Sequence, residues 1–283
     1  MTYTHSSNYF FASSDYSQLF WQKWIPEETV RAVMVFQHGL GEHSDRYHNL
    51  LEAMQGSGIA FYAMDARGHG KSEGKKGHIS SFENYTDDLH QFVEFVKKEQ
   101  QVDKVVLLGH SLGGAIAASY ALKKPDDLQA LILSSPAILP YMNSYFNLVK
   151  KVTGVMAKYA PSVTVDANLK LKFLSHDQQV IDDYKADPLV HGRASPALGD
   201  ALFQIHKHLY AQAPDLKLPL LIFHGTADEL TDPEGSEKFY QLAGSADKTL
   251  KLYEGLYHET MNEIPVAKAE VLRDIHKWLE ERI

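Results

Sequence analysis

A succession of short apolar runs is what most constrains how this 283-residue chain can fold. They lie at residues 32–36, 59–64, 104–108, 128–133 and 218–223, with a further strand-like run at 249–253. Runs of five or six such residues closed by glycine or polar turns are too short for most helices and suit strands buried on both faces. Between them lie segments with helical spacing: residues 46–55 (Tyr47, Leu50, Leu51, Met54), 82–98, an alanine-rich stretch at 112–122, 234–242 and 266–279. Alternating strand and helix units imply a mainly parallel sheet with helices on both faces, an α/β fold. Ahead of them, residues 8–12 and 18–24 are aromatic and partly alternating, as expected of an antiparallel pair at a sheet edge.

The alternation breaks once. From Pro136 to about Ala213 no buried strand is visible, and the segment reads as helices and loops. The expected organisation is a core formed by residues 1–136 and 214–283, with residues 137–213 inserted as a cap over the carboxyl ends of the strands. Open α/β sheets bind their ligands at that edge.

A formal net charge of −8 argues against a nucleic-acid partner, because phosphate backbones select a basic face. The absence of cysteine excludes disulfides, thiol nucleophiles and thiolate metal sites, and fits a reducing compartment. The first thirty residues lack the basic start and apolar run of a signal peptide. No stretch reaches the roughly 18 to 20 apolar residues of a membrane span. A cytoplasmic protein is expected, with membrane contact at most peripheral.

The strongest local signal is Val105-Val106-Leu107-Leu108-Gly109-His110-Ser111-Leu112-Gly113-Gly114. It sets Gly-x-Ser-x-Gly between a buried strand and an alanine-rich helix, the context of the nucleophile elbow of the α/β-hydrolase fold. Glycines two residues either side of Ser111 let the backbone approach closely, so that the hydroxyl projects above the sheet. A serine hydroxyl needs a base, and the base an orienting acid; in this fold the chain order is serine, acid, histidine. The run at 218–223 ends in His224-Gly225-Thr226-Ala227-Asp228, and that at 249–253 in Glu254-Gly255-Leu256-Tyr257-His258. Asp228 and His258 thus leave the same sheet edge beyond successive strands and complete the expected triad. Glu229 and Asp232 are rivals lying further from the strand end. The other fourteen histidines form no His-Glu-x-x-His helix or similar ligand set, so neither metal nor cofactor is expected. Acyl transfer also needs donors for an oxyanion. The backbone N–H groups of Leu112, after the serine, and of Leu40, in the loop His38-Gly39-Leu40-Gly41, are the expected pair.

Together these segments resemble the monoacylglycerol lipase family. The residues that carry the resemblance are His38-Gly39-Leu40-Gly41-Glu42-His43-Ser44-Asp45-Arg46-Tyr47, Asp65-Ala66-Arg67-Gly68-His69-Gly70-Lys71-Ser72 and the elbow. Tyr184-Lys185-Ala186-Asp187-Pro188-Leu189 and residues 248–258 complete the set, in the same order. The resemblance covers nearly the whole chain and is weakest over residues 139–174. It implies hydrolysis of 1- or 2-monoacylglycerols to glycerol and a fatty acid, beneath a mobile cap with an apolar, membrane-facing surface. It also places Glu42, Arg46, His110 and Tyr184 near the polar end that receives glycerol; alternatively Glu42 and Arg46 brace the first helix. Three residues past His258 some relatives carry a second histidine where this chain has Met261, which puts the details of glycerol recognition in question.

Within the insertion, Tyr141, Tyr145, Leu148, Val152, Val155 and Tyr159 recur at three- and four-residue steps, widened by Met142, Val149 and Met156. Lys150, Lys151 and Lys158 lie largely off that stripe. Such a helix can rest on a bilayer or pack on the core, and both options stand. A lysophospholipid or another single-chain ester is the alternative substrate. A peptidase or acyltransferase using the same triad finds no dedicated feature here. Retention of all three catalytic candidates disfavours a receptor on a hydrolase scaffold, and Ser111 disfavours aspartate-nucleophile chemistry.

Overall fold

The computed structural model describes residues 3–141 and 144–283, the side chains of residues 144–148 excepted. Its centre is an eight-stranded sheet. The strands are β1 (Tyr3–Phe11), β2 (Gln18–Pro26), β3 (Ala32–Gln37), β4 (Ile59–Met64), β5 (Val105–His110), β6 (Leu128–Ser134), β9 (Leu220–Gly225) and β10 (Lys248–Tyr253). Their order is β1-β2-β4-β3-β5-β6-β9-β10. The pairs β1/β2 and β2/β4 are antiparallel, and every later pair is parallel.

Because successive side chains of a strand point to opposite faces, the apolar runs divide their residues between two cores. Val33, Val35, Leu107, Leu131, Leu133 and Ile222 face one side. There they meet α2 (Glu83–Gln100), α3 (Leu112–Lys123) and α7 (Pro233–Leu242). Met34, Phe36, Val106, Leu108, Ile132 and Phe223 face the other. Their partners are α1 (His48–Ala53) and α8 (Pro265–Glu280). Double-sided burial is why these strands read as continuous rather than alternating apolar runs. The register then aligns the strand ends: Gln37 opposes Gly109, His110 opposes Ser134, Ser134 opposes Phe223, and Gly225 opposes Tyr253. The residues that follow each strand therefore emerge along one rim.

Between β6 and β9 the chain forms α4 (Ser144–Tyr159), β7 (Val165–Asp166), α5 (Gln178–Ala186), β8 (Arg193–Ala194) and α6 (Pro196–Gln212). The segment is mostly helical, with one short antiparallel pair, β7/β8, at its surface. The α6 helix runs back into the main core through Leu198, Ile205 and Leu209, whereas Leu174, Ile181 and Tyr184 form a small separate cluster. Among the described residues no helix is long and apolar enough to cross a membrane.

Candidate active site

Ser111 follows β5 directly and precedes α3, with φ 54° and ψ −121°. A non-glycine residue there is strained. The elbow is kept tight by close packing: a Cβ on Gly113 would lie 2.1 Å from the carbonyl oxygen of Gln37, and one on Gly39 only 3.0 Å from Ser111 Cβ. The turn thus presses against the loop that follows β3.

Asp228 and His258 meet as the chain order requires. His258 Nδ1 lies 2.6 Å from Asp228 Oδ2, both side chains being almost wholly buried. Asp228 Oδ1 accepts from the backbone N–H groups of Leu230 (2.7 Å) and Thr231 (3.1 Å). Burial alone would raise the Asp228 carboxyl, but His258 and His224 beside it hold it far below the usual carboxylate range. Burial pulls the His258 imidazole down, yet the Asp228 carboxylate outweighs it and the imidazole stands above its ordinary value. The His258 backbone is clamped too: its N–H donates to Phe173 O (3.1 Å) and its carbonyl accepts from Ser135 Oγ (2.8 Å). Glu229 turns to an ion pair with Lys170, and Asp232 caps α7 by accepting from Glu234 N, so neither rival competes for His258.

The loop after β3 is fixed by its own first residue. His38 is buried; its Nε2 accepts from Ala66 N (2.9 Å), which leaves the proton on Nδ1 to donate to Gly39 O (2.8 Å). Burial lowers the His38 imidazole and favours this neutral form. With the Gly39 carbonyl turned toward His38, the trans peptide sends the Leu40 N–H the other way. Leu40 and Leu112 both line the same cavity as Ser111 and His258.

Glu42 anchors this end. Its Oε1 accepts from Gly39 N (2.6 Å) and Tyr47 Oη (2.5 Å), and its Oε2 from Arg46 Nη1 (2.9 Å). Burial would raise this carboxyl, but the Arg46 guanidinium, with His110 and His38, brings it down to about 2. Arg46 also forks onto Glu259 at 2.8 and 3.0 Å, and its guanidinium lies 4.7 Å from the centre of the Tyr184 ring. His110 donates to or accepts from Ser134 Oγ at 3.0 Å, and its ring centre is 4.8 Å from that of His258. Burial, then the neighbouring His258, pushes His110 down to about 4. Glu42, His110, Tyr184 and Glu259 line the cavity, while Arg46 stands behind them and ties the two carboxylates together. Glu42 therefore braces the loop and faces the cavity at once. Met261 packs in the apolar core against the sheet and is not among the lining residues.

The cavity measures about 650 Å³ and runs from this polar end beneath α4. Val149, Val152, Met156, Leu202 and Phe203 supply apolar walls. Val152, Val155 and Tyr159 are 49%, 59% and 85% exposed, so the α4 stripe is split between the cavity and the outside. Val152 belongs to both, as does the 51% exposed Val165 of β7. Met142 lies outside the described residues, as do the side chains of Tyr145 and Leu148. Far from this site, His90, Glu94 and Asp127 come close enough to suggest a metal, but Lys97 Nζ already bonds Glu94 at 2.8 Å and Asp127 at 2.6 Å.

Sequence reasoning missed His224, Thr231, Ser135 and Glu259, all beside the triad candidates. The signal for His224 and Ser135 was positional, since each lies at or just past the end of a central strand on the rim that carries Ser111. Glu259 simply follows His258.

Residues 28–265 match the family model described as serine aminopeptidase, S33. A monoacylglycerol lipase of Mycolicibacterium smegmatis is 34% identical over 274 residues, covering 96% of both chains. The crystal structure of a monoacylglycerol lipase from Paleococcus ferrophilus superposes with a TM-score of 0.82, at 33% identity and full coverage of both chains. A soluble variant of the Saccharomyces cerevisiae monoglyceride lipase, in complex with a substrate analogue, superposes at 0.88 with 26% identity, covering 100% of this chain and 96% of that one. With this fold, this rim and these relatives, the chain belongs to the monoacylglycerol lipase family of α/β-hydrolases.

Proposed function

We propose that the protein hydrolyses the carboxylic ester of monoacylglycerols to glycerol and a fatty acid through an acyl-enzyme on Ser111. The observation that carries this reading is a cavity of about 650 Å³ lined by Ser111 and His258 together with Glu42, His110 and Tyr184, and walled further on largely by apolar side chains such as Val149, Val152, Met156, Leu202 and Phe203. His258 Nε2 takes the Ser111 proton as Oγ attacks the ester carbonyl, and Asp228 steadies the imidazolium that results. The tetrahedral oxygen is held by the N–H groups of Leu40 and Leu112. His258 then protonates the departing glycerol oxygen, and a water activated by the same imidazole releases the fatty acid.

Glu42, His110 and Tyr184 are assigned to the glycerol head, with Arg46 positioning Glu42. At this end one guanidinium serves two carboxylates, and Lys170, the cation among the described residues that line the cavity, is paired with Glu229; this disfavours a phosphate and favours an uncharged head. The segment 137–213 serves as the cap, and the exposed Val152, Val155, Tyr159, Val163 and Val165 form a peripheral contact with lipid surfaces. A panel of glycerol monoesters from short to long chain, run beside a lysophospholipid, tests this. Long-chain glycerol monoesters should exceed the lysophospholipid in kcat/KM by about tenfold or more; parity between the two head groups would contradict it.

A further inference from the structure

The carboxylate assigned to steady His258 carries a second histidine. His224, the last residue but one of β9, is wholly buried, and its Nε2 lies 3.0 Å from Asp228 Oδ2, the oxygen that His258 Nδ1 meets at 2.6 Å. Its other nitrogen, Nδ1, lies 2.7 Å from Ser236 Oγ in the first turns of α7. Asp228 is an ionised carboxylate and can only accept, so the His224 Nε2 carries a proton and donates. Neutral imidazole then leaves Nδ1 as an acceptor for the Ser236 hydroxyl, which fixes the tautomer. Thr231 Oγ1, 2.9 Å from the same oxygen, adds a third partner.

We infer that His224, held by Ser236, is a positioning residue for catalysis: it locks the Asp228 carboxylate and moderates how strongly that carboxylate pulls on His258. This rests on the Ser111–His258–Asp228 triad proposed above. A buried carboxylate with one good donor is free to rotate about its Cβ–Cγ bond. Donors on both oxygens, the two backbone N–H groups on Oδ1 and the side chains on Oδ2, remove that freedom. Each donor on Oδ2 also draws off part of the negative charge that would otherwise stabilise the His258 imidazolium. Removing one therefore has two effects: it loosens the geometry that the base needs, and it raises the pKa of the base. The remaining charged and titratable groups that face His258 are Glu259, Glu42 and His110, with Arg46 behind them, and none touches His224.

The test is the pH dependence of kcat and kcat/KM on a long-chain glycerol monoester for His224→Gln, His224→Met and Asp228→Asn. Glutamine keeps an N–H for Asp228 and an oxygen for Ser236, so it should stay within about threefold of wild type. Methionine keeps the volume and loses the donor. It should lower kcat by about tenfold with KM unchanged, and move the acid limb of kcat/KM up by about half a pH unit. Should the methionine variant not fold, Ser236→Ala, which leaves the imidazole in place, carries the same prediction at about threefold. A wild-type kcat and acid limb in His224→Met, or equal losses in the methionine and glutamine variants that track melting temperature, overturns the inference. So do wild-type values in Ser236→Ala when His224→Met does not fold. Asp228→Asn separates the two levels: near-normal activity there refutes the triad itself, whereas a collapse there with a silent His224→Met refutes only the role of His224.

Discussion

The rim of the sheet and the helix above it are built on different physics. At the rim, Ser111, Asp228 and His258 follow the carboxyl ends of β5, β9 and β10, and the two ionisable members are buried and anchored by hydrogen bonds on every side. On α4, among the described residues, Val149, Val152 and Met156 line a cavity, whereas Val155 and Tyr159 are largely exposed. Chemistry at one fixed point needs donors and acceptors held within a few tenths of an ångström. A long, flexible acyl chain needs only an apolar wall that can yield. The site thus joins a precise half to a forgiving half, and substitutions in the two should fail in different ways.

The sharpest break comes at the rim. Ser111→Ala should lower hydrolysis of any ester by about ten-thousandfold or more with the melting temperature unchanged, and Asp228→Asn should approach that loss. A residual rate within tenfold of wild type in Ser111→Ala would remove the rim from the mechanism. Stability gives the next contrast. Leu107, fully buried in β5, should cost about 3 kcal/mol on truncation to alanine, whereas Val155→Ala should stay within about 0.5 kcal/mol. Equal costs in chemical denaturation would mean that α4 is packed as the sheet is. Val155→Asp with Tyr159→Asp should reduce vesicle binding and long-chain turnover by about tenfold while sparing a short soluble ester. Loss on both substrates would place the outer stripe inside the fold instead.

The smallest effect is electrostatic. Asp228 holds the His258 imidazole above the ordinary histidine value, and the base must be unprotonated to work. Activity should therefore rise with pH through a limb above the ordinary histidine value of 6.5 and fall away below it. A limb at lower pH would show that burial, rather than Asp228, dominates at His258.

Most of the rim was legible because its causes are local. Strands buried on both faces leave unbroken apolar runs, and the glycines around Ser111 are required by backbone contacts that a Cβ would break. Boundaries drifted where local chemistry intervened. β9 begins at Leu220 because Pro219 has no N–H to give the ladder, and the expected helix at 46–55 divides into a tight turn at Ser44–Arg46 and the short α1. β1 extends back to Tyr3 through the polar residues Thr4, His5, Ser6 and Ser7, which an exposed edge strand accommodates without any apolar signal. His224 was hidden for another reason: its partner Ser236 lies twelve residues away on a helix, and only the fold brings the two onto Asp228. The double use of the α4 stripe was equally invisible, since helical periodicity shows that a face is apolar and not what it faces.

In the proposed mechanism Ser111 carries the acyl group. Intact-mass and peptide mass spectrometry after brief exposure to an activated long-chain ester measures this directly. One acyl adduct per chain is expected, on the peptide containing Ser111, formed in wild type and absent in Ser111→Ala. An adduct on another residue, or turnover of the ester by Ser111→Ala at the wild-type rate, would contradict that mechanism.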